Sequence, residues 1–130
     1  MTVTIVRLGS ARLRGEGLRI GTVRRPPRGV PKAEIARRDW YDVWFPNLAP
    51  STGTVAVAQR AETARDWAVF VRKYRAEMAL PDPRRTLDLL AALSHRTDFS
   101  LGCYCADEAR CHRSVLRELL SERGAALAEG

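Results

Sequence analysis

The chain has 130 residues, the size of one domain, with 45% hydrophobic and 28% charged residues, which excludes a wholly disordered chain. No run approaches the roughly 18 apolar residues of a membrane span, and the opening MTVTIVRLGS reads as neither a secretory nor a transit segment, so a cytoplasmic protein with no membrane partner is expected. Three cysteines, Cys103, Cys105 and Cys111, crowd into one stretch; an odd number so placed is no disulfide framework and fits a reducing compartment.

The net charge is +7, and Lys32 and Lys73 are the only lysines among 22 basic residues. Between Arg7 and Arg38 the basic side chains far outnumber the nearby acids Glu16 and Glu34. Such a field attracts phosphates, nucleotides or nucleic acid. An Arg-rich solvated surface is the plainer account of the same charge. No helix-turn-helix, zinc-finger or RNA-recognition signature accompanies it.

Thr2–Leu8 and Leu18–Val23 read as strands. Between Arg24 and Gly29, Pro26 and Pro27 remove two backbone donors and fix φ, giving a rigid loop that carries Arg24, Arg25 and Arg28. Pro31 opens a short helix to about Arg38, and Tyr41–Phe45 is extended. Ser51 is placed to cap the next segment, although Thr54–Gln59 itself is ambiguous between strand and helix. Trp67, Phe70, Val71, Tyr74 and Met78 fall on one face of a helix over 61–78. Asp82 and Pro83 read as cap and first residue of a third helix, ending near His95. Phe99–Cys105 is a strand, and Val115, Leu116, Leu119 and Leu120 stripe a last helix from Cys111 to Arg123, stopped by Gly124. The expectation is a single compact α/β domain over 1–124, with a small, mostly parallel sheet, flanking helices, a C-terminal strand–loop–helix unit and a frayed tail over 125–130.

Chemistry concentrates where that last strand hands over to the helix. The first helical turn offers unpaired N–H groups and the positive end of the dipole. Arg110 and Arg113 add guanidinium forks, and His112 can move a proton near neutral pH. The dipole also favours thiolate at Cys105 or Cys111. A cysteine-phosphatase loop is excluded, because the position six residues after Cys105 is Cys111 and that after Cys103 is Ala109. Cys103, Cys105, Cys111 and His112 are plausible zinc donors. Their spacing argues against it, since Cys103-x-Cys105 lies on a strand and Cys111 and His112 diverge around a helix, so no metal is assigned. Cys103 reads best as a small buried hydrophobe. No Walker or dinucleotide glycine motif is present, and no cofactor is named.

In order, Gly17-Leu18-Arg19-Ile20, Arg25-Pro26-Pro27-Arg28-Gly29, Trp44 through Ser51, Trp67, Phe70, Tyr74, Glu77, Cys103-Tyr104-Cys105, Glu108 and Cys111-His112-Arg113-Ser114 resemble the YeaO-like proteins of domain of unknown function 488. The resemblance covers nearly the whole chain. It implies a compact cytosolic α/β protein and brings no activity with it. Because some relatives lack the cysteine stretch, it implies that the Arg loop and the Ser51 turn are the better candidates for a shared site.

Three functional expectations result. The first is an anionic ligand, phosphorylated or nucleotide-like, held by Arg24, Arg28, Arg110, Arg113 and Ser51, with His112, Glu108, Cys105 and Cys111 as candidate catalytic groups. The second is a non-catalytic nucleic-acid-binding module. The third is thiol redox or zinc chemistry at the cysteines.

Overall fold

The computed structural model of the chain describes residues 1–128. Four strands, β1 (Val3–Arg7), β2 (Leu18–Gly21), β3 (Val43–Trp44) and β4 (Phe99–Cys103), form one sheet in the order β1-β4-β2-β3. Every pairing is parallel, with Ile5 and Ile20 both aligned to Leu101. Four helices complete the domain: α1 (Thr52–Arg60), α2 (Ala64–Met78), α3 (Pro81–Leu93) and α4 (His112–Glu122). This is the α/β architecture expected, ending in a strand and a helix.

The central strand β4 is buried at all five positions, as a parallel strand covered on both faces must be. Val3, Ile5, Phe99 and Leu101 present one face to Phe70, Tyr74, Met78, Leu87, Leu116 and Leu120 of the helices. A smaller apolar cluster of Leu8, Val23, Ile35, Tyr41, Cys103 and Cys111 gathers near the carboxyl ends of the strands.

Loops cover the opposite sheet face, and an ion pair holds them. Arg19 on β2 is fully buried. Its Nε and Nη2 donate to both oxygens of Glu16 at 2.6 and 2.9 Å, and Nη1 donates to the carbonyls of Ser10 and Asp39 at 2.9 and 2.7 Å. Glu16 also accepts from Ser100 Oγ and the Leu13 amide. Gly17 makes the turn between the partners at φ +73°, where a Cβ would run into the Asp98 carbonyl.

Several local expectations shift. Residues 52–60 are helical, because Ser51 caps Thr54 N–H. The segment after Pro31 forms only a 3-10 turn, Lys32–Glu34. Helix α3 starts at Pro81 behind Leu80, so Asp82 and Pro83 lie inside its first turn rather than at its cap. The last strand stops at Cys103, two residues early. The tail does not fray over 125–128: Val3 N–H donates to Ala126 O and Ala128 N–H to Val3 O, and Leu127 bridges to Val3. The rest of that expected tail, residues 129–130, lies outside the described residues. Among the described residues no helix is long and apolar enough to cross a membrane.

Burial alone would raise the Glu16 carboxyl, but hydrogen bonds from Arg19, Leu13 and Ser100 outweigh it and bring the pKa down to about 2. The stabilisation is therefore complete above the ordinary carboxyl value of 4.5 and is lost as pH falls from there through about 2. Glu16→Gln leaves the Arg19 charge buried without a counter-charge and is expected to cost about 3–5 kcal/mol in urea unfolding at pH 7. The deficit should shrink in the same measurement as the pH is lowered through that window.

Candidate functional site

Parallel sheets bind ligands beyond the carboxyl ends of their strands, and a cleft of about 1310 Å³ opens there. Arg7 ends β1, Cys103 ends β4, and the chain leaving β2 supplies Val23 and the Arg24–Arg28 loop to its wall. Thr52, Val55 and Gln59 of α1 form another side. Cys111 and His112, at the start of α4, form the floor.

The loop is anchored at three points. Arg24 Nη2 donates to the carbonyls of Ala49 and Pro50, both at 3.0 Å, and its Nε also donates to Pro50 O. Tyr104 Oη donates to Arg25 O at 2.8 Å, and Trp44 Nε1 donates to Val23 O at 2.8 Å. Prolines and anchors together hold Arg25 and Arg28 at the rim with little ordering left to do.

Arg7, Arg24, Arg25, Arg28 and Arg110 line the cleft, and among the described residues no Asp or Glu does. Among the described residues none of these five forms an ion pair, whereas Arg12, Arg19, Arg38, Arg75, Arg117 and Arg123 all do. Arg110 lies 5.6 Å from the Trp67 ring centroid, which orients a cation without neutralising it.

The floor holds three thiols and an imidazole. Cys103 Sγ is 3.8 Å from Cys105 Sγ, and Cys111 Sγ is 3.8 Å from His112 Nδ1. Cys111 and His112 were expected to diverge around a helix, and they do not. Cys111 precedes the helix with an extended backbone, φ −132° and ψ 153°, so its side chain turns toward the His112 ring. Hydrogen bonds to Cys105 and Cys111, together with burial, raise the Cys103 thiol. Cys105 is lowered by Cys103 but raised on balance by Cys111 and burial. Cys111, accepting from Cys103 and Cys105 and sitting beside His112, is lowered.

His112 is buried and its tautomer is fixed. Nε2 lies 2.8 Å from Thr22 O, and a carbonyl only accepts, so Nε2 carries the hydrogen. Thr22 Oγ1 donates to Gly102 O and is 3.2 Å from the same nitrogen. The other ring nitrogen, Nδ1, faces Cys111 Sγ.

Of the expected site residues, Arg24, Arg28, Arg110, Cys105, Cys111 and His112 come together in this cleft. Three others are engaged elsewhere. Ser51 is held in a capping network with Glu77 and Thr54. Glu108 receives two hydrogen bonds from Arg117, at 2.7 and 3.0 Å. Arg113 is buried and donates from Nη2 to Cys105 O at 2.6 Å, while its Nε is buried without a partner. Arg25 was expected on the basic loop, but Arg7 at the cleft and Thr22 behind His112 were not singled out as site residues. The ends of parallel strands are a readable signal for both.

The site and fold are those of a small α/β protein with a basic cleft at the strand ends. The chain belongs to the DUF488 family: the family model described as the active DUF488-N3 subclade matches residues 3–124. No curated protein and no solved structure is matched.

Arg24→Ala unties the loop from the Ala49–Pro50 turn without opening the core. It is expected to raise trypsin cutting after Arg28 several-fold, followed by mass spectrometry. The same variant should lower global stability by only about 1 kcal/mol in urea.

Proposed function

We propose that the cleft binds a phosphorylated or nucleotide-like small anion. The observation that carries this reading is the collection of five guanidinium groups, without a carboxylate among them, on one concave surface at the strand ends. Exposed guanidinium forks with no carboxylate partner are suited to phosphate oxygens. The N-terminal turn of α4 adds its dipole at the floor.

The concavity favours a small ligand over a nucleic-acid strand. Several N-terminal arginines that would make a continuous basic face are already paired, Arg12 with Asp39 and Asp42, and Arg38 with Glu34. With Glu108 bound to Arg117, proton transfer within the cleft, if chemistry accompanies binding, rests on His112 and the thiols.

Thermal unfolding with inorganic phosphate, pyrophosphate and a nucleoside monophosphate tests the reading. At least one is expected to raise the Tm of the wild-type chain. Arg28→Ala should weaken that ligand about tenfold, and Arg25→Ala with Arg28→Ala about a hundredfold. An equal shift in wild type and the double variant, or none with any of the three, rejects it. Tighter binding of a single-stranded oligonucleotide than of pyrophosphate, with a steep loss on adding salt, would instead favour the nucleic-acid alternative.

A further inference from the structure

We propose that Cys103, Cys111 and His112, with Cys105 as fourth donor, form a zinc-binding site in the floor of the cleft. The inference is independent of anion binding. The donor atoms of Cys103, Cys111 and His112 all lie within 4.8 Å of one another, and all three residues are buried. The two pairwise separations of 3.8 Å, sulfur to sulfur and sulfur to nitrogen, suit donors at about 2.0–2.3 Å from one tetrahedral metal.

The imidazole is set up as a ligand. Its Nε2–H is fixed on the Thr22 carbonyl, which directs the Nδ1 lone pair to the sulfur atoms and holds the ring plane. A ligating histidine usually makes this kind of outer bond to a carbonyl or carboxylate. Cys111 occupies the N-cap of α4 yet caps nothing with its side chain, which leaves the sulfur to the cluster.

A second, independent observation is the Arg113 guanidinium. It is buried, it pairs with no carboxylate among the described residues, and its Nε has no partner. A buried cation needs a counter-charge. Three thiolates and a neutral imidazole around Zn²⁺ carry one net negative charge beside it. The three thiol protons pass to solvent as the metal binds. Thiolate sulfur with one imidazole nitrogen selects zinc over magnesium or calcium.

The test uses the full chain, purified with reductant and without chelator. Elemental analysis should find one equivalent of zinc. Cobalt substitution should give a sulfur-to-metal charge-transfer band together with tetrahedral ligand-field bands. Cys105 is exposed, so Cys105→Ser keeps the fold, checked by circular dichroism, and should lower the charge-transfer intensity by about a third, one thiolate of three. Cys111→Ser should abolish tight binding in a chelator competition. Arg25→Ala with Arg28→Ala, which removes the phosphate response, should leave the zinc content unchanged, so the two readings fail separately. Three freely titrating thiols without metal, a Cys103–Cys105 disulfide in their place, or a cobalt spectrum unaltered by Cys105→Ser overturns the proposal.

Discussion

The buried pairing of Arg19 with Glu16 is the constraint around which the loop-covered side of the sheet is arranged. A guanidinium with no solvent contact must place all its donors, and here they go to Glu16 and to the carbonyls of Ser10 and Asp39. Those carbonyls belong to two loops far apart in sequence. Fixing them over β2 brings Ser10 and the neighbouring Trp40 to the cleft border. Asp42 extends the arrangement by accepting from the Arg19 amide and from Arg12. The ion pair between β2 and the turn before it thus ties two of the loops that border the cleft.

Two groups of arginines stand out in this strongly basic chain. One is structural: Arg19 with Glu16, Arg12 with Asp39 and Asp42, Arg117 with Glu108, and Arg75 with Glu118 and Glu122. The other is collected at the strand ends, where Arg7 and Arg24 donate to backbone carbonyls and Arg110 lies over the Trp67 ring instead of meeting carboxylates. Arg24 is the instructive case. It secures the Arg loop to the Ala49–Pro50 turn, so two landmarks that look like separate site elements in the sequence are one mechanical unit. Glu77 completes that unit from α2 by accepting from Ser51, and its own carboxyl is held low by Thr54 and Ser51 against the cost of burial.

The parts of the fold legible in sequence were those with strong local signals. Helix α2 repeats its apolar residues at helical spacing, and β1 and β4 are apolar runs bounded by turns. Thr54–Gln59 was undecidable locally, since its alternation mimics a strand; the capping hydroxyl of Ser51 and a carboxylate from another helix decide it. The two-residue β3 is defined only by pairing with β2. At the site, the prolines announced a rigid basic loop. The proximity of Cys111 to His112 could not be read, because it depends on one extended residue where a helical one was expected.

The cleft combines a cationic rim with a floor able to hold negative charge, and helix α4 serves both. Its amino end carries the positive end of the helix dipole, which favours thiolate in the floor. Arg113, one residue further on, lies beneath the Cys105 loop and binds its carbonyl, so the guanidinium expected to reach a ligand acts instead on the backbone that carries the thiol. Cys103 and Cys111 are buried with the Arg113 cation close by, so of the three sulfurs only the exposed Cys105 meets the rim arginines.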